Sequence, residues 1–164
     1  MKIRAAALLI LSVLFVLTAG KSGKREVPLN DKDSKDLIEA VVYAYSLEEE
    51  LWGNESRIKS KEDVLKLFRK GFGEKAAREL SDYYWVEGED QYGGSSSMLN
   101  AGDPVFIQPD SIEVLSRKGE TAEVLLKFSK SEEGPITYRA HSVRVVLKRE
   151  TNVWKLYDAD TRWF

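Results

Sequence analysis

SIEVLSRKGETAEVLLKFSKSEEGPITYRAHSVRVVLKRETNVWKLYDAD, residues 111–160, is a succession of period-two apolar runs separated by turn residues. Ile112 and Val114 alternate through Ser111–Leu115, and Arg117-Lys118-Gly119-Glu120 turns the chain into Thr121–Phe128. There Ala122, Val124, Leu126 and Phe128 share one face, because successive strand residues point to opposite sides of a sheet. Glu132-Glu133-Gly134-Pro135 makes the next turn and Ile136–Leu147 the next strand. Ile136, Tyr138 and Ala140 are even, whereas Val143, Val145 and Leu147 are odd. A bulge near Ala140-His141-Ser142 is therefore expected to absorb one residue and bend the sheet. Glu150-Thr151-Asn152 turns into a last strand, Val153–Asp160, with Trp154 and Leu156 on one side and Lys155 on the other. Hairpins in series predict an antiparallel meander.

Upstream of Ser81 the period is helical. Leu37, Ile38, Val41, Val42 and Tyr45 form the stripe of an amphipathic helix, with Asp31, Asp33 and Asp36 at its positive N-terminal end and Gly53-Asn54 as its stop. Ser60 and Asp63 start a second helix, whose apolar side is Val64, Leu65, Leu67 and Phe68. Gly71 and Gly73 bracket Phe72 in a turn. A third, short helix over Glu74–Leu80 puts Ala76, Ala77 and Leu80 on one face. Helices first and sheet afterwards is the α+β order: N-terminal helices packed on a bent antiparallel β-meander.

Further upstream, Lys2 and Arg4 precede an apolar run from Ala5 to Leu17 closed by Thr18-Ala19-Gly20, the pattern of a secretory signal peptide. As a helix this run is about 20 Å long, short of the roughly 30 Å hydrocarbon core. Position 21 is Lys rather than the Cys that carries a lipoprotein anchor. Residues 1–20 thus read as signal peptide, 21–33 as a charged tether and 34–164 as a single domain. The expected location is extracytoplasmic, with membrane contact only through the uncleaved signal.

Composition closes off most catalytic chemistry. The 164 residues contain no cysteine and one histidine, which excludes disulfides, thiol nucleophiles, Cys-ligated zinc and His-cluster metal sites. A net charge of −2 leaves no basic excess for nucleic acid. Ser56-Arg57-Ile58-Lys59, Ser81-Asp82-Tyr83 and Lys21-Ser22-Gly23 echo β-lactamase elements in the wrong order, since the last of them belongs on a late strand. Glu87-Gly88-Glu89-Asp90-Gln91 lacks the ligand ladder of an EF-hand loop. No catalytic group, metal site or cofactor is assigned.

Charge is unevenly placed. Asp31–Trp52 holds seven acids and two bases, and Arg57–Glu79 holds eight bases and four acids. Asp82–Asp110 holds six acids and no base. Within this last stretch Tyr83, Tyr84, Trp85 and Tyr92 stand among Glu87, Glu89 and Asp90, and Gly93-Gly94-Ser95-Ser96-Ser97 follows as a flexible tip. Large amphipathic rings in an acidic field suit a protein-docking loop for a basic partner. The plainer reading makes Tyr84 and Val86 core residues of a first strand and Glu87–Ser97 a solvated loop. The basic stripe reads as a solvated helix face or as a rest for anionic wall polymers, not as a nucleic-acid surface.

Three N-terminal helices on one side of a long bent meander resemble the cystatin-like, nuclear-transport-factor-2-like superfamily over roughly Ser34–Asp160, and Val153-Trp154-Lys155-Leu156-Tyr157-Asp158 resembles the closing strand of its secreted bacterial members. The stretch KSKEDVLKLFRKGFGEKAARELSDYYW is similar to the two-helix unit of secreted inhibitors of cell-wall DL-endopeptidases, the IseA-like family. The Gln-x-Val-x-Gly wedge of cystatins is absent, since Gln91-Tyr92-Gly93-Gly94-Ser95 has Gly in place of Val. The resemblance implies a cone-shaped domain and a non-enzymatic partner-binding function toward a protein or cell-wall component, such as restraint of a wall hydrolase. The alternative it leaves open is a small-ligand-binding or weakly catalytic cone lined by Tyr138, His141, Trp154 and Tyr157, with His141 as base beside Asp158 or Asp160.

Overall fold

The computed structural model describes residues 31–89, 95–100, 105–132 and 137–163, so the expected signal peptide and most of the expected tether lie outside the described residues. Helix α1 spans Asp31–Gly53 and opens three residues before Ser34. An ion pair from Asp33 to Arg117 (2.5 Å) fastens its first turn to the sheet. Leu37, Val41, Ala44, Leu47 and Leu51 recur at three- and four-residue steps and are fully buried. Val42, expected on this stripe, is exposed, because the buried side follows the steps through Ala44 and Leu47. No described helix is long and apolar enough to cross a membrane.

After a 3₁₀ turn at Glu55–Arg57, helix α2 (Lys61–Phe68) begins as its sequence predicts. The Asp63 amide donates to Ser60 Oγ (3.2 Å), Ser60 Oγ donates to Asp63 Oδ2 (2.8 Å) and the Lys59 amide donates to the same carboxylate (3.0 Å). The Asp63 amide, an orphan donor of the first turn, and the Lys59 amide just before the cap are satisfied in this way. Val64, Leu65, Leu67 and Phe68 are all buried. Helix α3 runs over Glu74–Tyr84, four residues past the expected end, because Ala77, Ser81 and Tyr84 continue its buried face at i, i+4 and i+7. Tyr84 is therefore the last helical residue, not a strand residue.

Two antiparallel sheets follow. Strands β1 (Trp85–Glu89) and β2 (Ser95–Leu99) form a separate hairpin, and β3 (Ser111–Lys118), β4 (Thr121–Phe128), β5 (His141–Glu150) and β6 (Val153–Trp163) form the meander in that order. The helices lie over the face carrying Ala122, Val124, Leu126, Phe128, Val145, Leu147, Trp154 and Leu156, all of them buried. The other residues of β4 are half-buried or exposed. Ser95–Ser97, expected as a flexible tip, pair with Glu89, Gly88 and Glu87 as a regular strand.

The expected bulge at residues 140–142 is not where the sheet is interrupted. The β4–β5 register runs unbroken from Thr121 opposite Lys148 to Phe128 opposite His141. Tyr138 lies before the strand, where it exchanges backbone hydrogen bonds with Ser131 (3.0 and 3.1 Å) in phase with that ladder, so no residue is absorbed. The extra residues are Leu115, between pairs Val114/Val124 and Ser116/Glu123, and Tyr157, between Val146/Asp158 and Leu147/Leu156. Both bulges fall on outer strands of the meander, where they add twist.

The far edge of β6 is covered by the α2–α3 turn. The Gly73 amide donates to the Leu156 carbonyl (2.8 Å) and the Leu156 amide to that of Gly71 (2.9 Å). A Cβ on Gly71 would lie 2.9 Å from Ala44 Cα, and one on Gly73 would lie 2.9 Å from the Tyr157 ring. Only glycine permits an approach this close.

The β5–β6 turn holds Thr151 at φ 47° and Asn152 at φ 67°, the two left-handed residues of a two-residue hairpin. Thr is poorly suited to that region. The double variant Thr151→Asn/Asn152→Gly is expected to raise stability by about 1 kcal/mol, read as a higher urea midpoint at unchanged slope. An unchanged or lower midpoint would mean that Thr151 carries no strain.

Candidate functional site

The acidic aromatic segment begins on the last turn of α3 and continues into β1. Tyr84 is buried, stacked on Phe68 (centroids 5.3 Å apart, planes at 20°) and edge-on to Trp52 (5.9 Å). Its hydroxyl donates to Glu48 Oε1. Burial, reinforced by the Glu48 carboxylate, pushes the phenol far above the ordinary tyrosine range. Trp85 is buried as well. The core has taken the Tyr84 ring and most of the Trp85 ring, so the two do not form an exposed aromatic patch.

Tyr83 stays 41% exposed, edge-on to Tyr84 at 5.0 Å, and Glu87 is exposed. Glu89 pairs through its backbone with Ser95, while Asp90 and Tyr92 lie outside the described residues. What reaches solvent instead is apolar: Val86 (44% exposed) and Met98 (62%) are cross-strand partners on β1 and β2. Strand alternation explains this. Once Trp85 faces the core, Val86 must face away.

Between this hairpin and the C-terminal end of α1 lies a cleft of about 430 Å³. Trp52, Ile58, Trp85, Met98 and Leu99 supply its apolar walls, and Glu55 and Lys59 stand on it with opposite charges.

Glu48 is the feature that pattern reading passes over. It occupies a core-facing position of α1, four residues after Ala44 and three before Leu51, and is 4% exposed. Its Oε1 accepts from the Val105 amide (2.8 Å) and its Oε2 from the Phe106 amide (2.9 Å), in addition to the Tyr84 hydroxyl. A carboxylate facing three donors is satisfied, and it pins the segment before β3 to the helical layer. Phe106 then packs against Tyr45 (4.9 Å) and Phe72 (5.2 Å). The sequence signal is a Glu in phase with the buried stripe.

The four residues expected to line a cone cavity do not gather. The His141 ring stacks on Phe128 (4.5 Å, planes at 4°) and meets Tyr138 edge-on (5.5 Å), with Nδ1 2.9 Å from the Arg139 carbonyl oxygen. Trp154 sits at the other end of β6, under the guanidinium of Arg117 at 5.4 Å. His141 is opposite Trp163 in the ladder, and Trp163 is nine residue steps along the strand from Trp154, about 30 Å. Tyr157 packs against Lys148 Nζ at 4.5 Å and beside Gly73. Asp158 and Asp160 pair with Val146 and Arg144, away from the His141 position. Among the described residues no group of three His, Asp or Glu side chains is placed to hold a metal ion.

The basic stripe of residues 57–79 is largely tied up in ion pairs. Lys61 meets Asp82 (2.5 Å), Lys70 meets Glu50 (2.7 Å) and Lys75 meets Glu79 (3.9 Å). Arg69 grips both oxygens of Glu74 (2.7 and 2.8 Å) and reaches Glu62 (3.3 Å), and Arg78 also meets Glu74 (2.5 Å). The Arg69 hydrogen bonds, followed by the charges of Arg69 and Arg78, hold the Glu74 carboxyl down to about 2 from an ordinary 4.5. Asp63 is lowered chiefly by the Ser60 hydroxyl, and Asp110 chiefly by the Ser129 amide.

A carboxyl whose folded pKa lies below its unfolded value stabilises the fold above the unfolded value and loses that contribution as pH falls through the folded one. Stability should therefore decline from about pH 4.5 toward 2. The gap between the parent and Glu74→Gln should close over the same window, read as urea midpoints at each pH. A gap that stays constant would show that the Arg69–Glu74–Arg78 network carries no net stability.

Comparison with protein-family models, with curated proteins and with solved structures gives no match, so what this chain does is argued from its own geometry.

Proposed function

We propose that this chain is an exported, non-enzymatic interaction domain on a cystatin-like plan. Its hairpin β1–β2 and the adjoining cleft bind a basic, extended segment of an extracytoplasmic protein, with a cell-wall hydrolase as the partner class. The observation that carries the reading is the exposed Val86–Met98 pair beside a cleft walled by Trp52 and Trp85. Apolar side chains of this size at the surface, next to aromatic walls, are what a hot spot is made of. Glu87, exposed next to Val86 on β1, adds a negative charge that favours a basic partner. Strands β1 and β2 pair only with each other among the described strands, so the hairpin is not occupied in building the main sheet. The pattern Lys2, Arg4, Ala5–Leu17 supports export, and the likeness of residues 59–85 to IseA-like inhibitors supports the choice of partner class.

The test is interferometry of the purified protein against a purified cell-wall DL-endopeptidase, alongside the rate at which that enzyme degrades peptidoglycan. Binding and slowed hydrolysis are expected. The variant Val86→Asp/Met98→Asp should lose both by at least tenfold without a change in melting temperature, since both side chains already face water. Absence of binding, or binding undiminished in that variant, would overturn the proposal. The ligand-binding or weakly catalytic alternative draws support only from the Phe128–His141–Tyr138 ring cluster. An activity lost in His141→Ala would favour it.

A further inference from the structure

We infer that a second, smaller cleft, formed by the end of α1, the 3₁₀ turn and α2, is a binding site for a phosphate ester. The cleft has a volume of about 300 Å³. Arg57, Lys66 and Lys70 line it together with Asn54, over an apolar floor of Ile58 and Leu67. Lys66 and Lys70 are four residues apart and so rise from one face of the α2 segment, while Arg57 approaches from the 3₁₀ turn.

Ion pairs take up five of the eight bases of the stripe, and two of the other three meet here. Lys61, Arg69, Lys70, Lys75 and Arg78 are each ion-paired. Arg57, Lys59 and Lys66 have no ion pair among the described residues; Arg57 and Lys66 face this cleft, whereas Lys59 stands on the other one. The two carboxylates on its walls already have donors but keep their charge, and the charge of Lys66 bears on Asp63. Asp63 accepts from Ser60 Oγ and the Lys59 amide as the cap of α2, and Glu50 is held by Lys70. Lys70 keeps two further ammonium hydrogens to donate. Asn54 directs its Nδ2 to the Glu50 carbonyl (2.9 Å), which leaves its side-chain oxygen as an acceptor. A planar guanidinium fork with two ammonium groups fits a tetrahedral oxyanion, and an amide oxygen beside them fits a hydroxyl on the esterified carbon. Phosphate on a polyol or sugar combines those groups. The charge excess is small and the cleft is open, so binding should be weak and should fall steeply with salt.

The test is a titration of the purified protein with glycerol phosphate, inorganic phosphate and poly(glycerol phosphate) at low ionic strength, followed by the amide resonances of residues 54–70. Saturable shifts centred on Arg57 and Lys66 are expected, stronger for the esters than for inorganic phosphate. They should weaken at least tenfold in Arg57→Gln/Lys66→Gln and be preserved in Lys127→Gln/Lys130→Gln, which removes the same charge from residues outside the cleft. No saturation, or equal weakening in both double variants, would overturn the assignment. Inorganic phosphate binding as tightly as the esters would remove the role given to Asn54 and with it the ester class. The hydrolase-binding proposal does not depend on this result, because Val86 and Met98 lie outside this cleft.

Discussion

Glu48→Ala is expected to lower the unfolding free energy by about 3–5 kcal/mol, because one substitution strands a buried hydroxyl and two half-buried amides at once. The Tyr84 hydroxyl and the amides of Val105 and Phe106 all direct their hydrogens at this carboxylate. Each unsatisfied donor costs about 1–3 kcal/mol, and partial relaxation toward water keeps the total below the simple sum. Glu48→Gln keeps the shape but turns one acceptor into a donor facing another donor, so its expected cost is intermediate, about 1–3 kcal/mol. Hydrogen exchange gives the diagnostic readout: the Val105 and Phe106 amides should lose protection more than the β4 amides in both variants. A loss under about 1 kcal/mol with those amides still protected would show that the segment before β3 is held by packing alone.

Phe68→Ala should cost a comparable amount, about 3–5 kcal/mol, through cavity formation rather than polar desolvation. The ring is fully buried and touches Tyr84, Phe72 (5.9 Å, edge-on) and Phe106 (6.5 Å), so it joins α2 to the α3 end, to the turn that covers β6, and to the segment before β3. Phe68→Leu, which retains most of the volume, should recover at least half of the loss. Thermal and urea unfolding of both variants measure it. A cost for alanine no larger than for leucine would mean that neighbouring rings collapse into the space. Phe68 and Glu48 share Tyr84 as a neighbour, so the double variant should be less destabilised than the two losses added together.

How far the fold is legible differs from element to element for physical reasons. Strand β4 is read correctly to the residue because it lies between two hydrogen-bonded neighbours with one face on the core, which enforces an unbroken period of two through Ala122, Val124, Leu126 and Phe128. Helix α2 is likewise legible, since Ser60 and Asp63 cap it locally and four residues of its apolar set are buried. Parity asks for one residue to be absorbed between Tyr138 and Val143, yet the Ser131–Tyr138 bridge is in phase with the β4–β5 ladder and none is. Parity cannot distinguish a bulge from a strand that starts late, and the structure chooses the late start. Tyr84 is misplaced for a related reason: an aromatic run suits both a helix end and a strand, and the burial of Ser81, a small residue that returns its hydroxyl to the Arg78 carbonyl (2.7 Å), lets the helix continue.

The exposed residues of the aromatic segment are harder to read than the fold. Tyr83-Tyr84-Trp85 is one aromatic patch in the sequence, yet only Tyr83 is exposed, while the exposed apolar pair is Val86 and Met98. Glu48-Glu49-Glu50 looks like a solvated charge run, yet the helical phase puts only its first member inside, and partners 36 to 58 residues away make that position tenable.

Local physics, written within a few neighbouring residues, was enough for the α+β class, the helix-then-meander order, the cap of α2 and the inward face of β4. Periodicity and capping act over one or two turns, so they survive in a linear text. The placement of Glu48, the division of the aromatic segment between core and surface, and the convergence of Arg57, Lys66 and Lys70 on one cleft were settled by folding alone. Each depends on which distant donors, rings and carboxylates arrive at the same point, and that is a property of packing between elements rather than of any one of them.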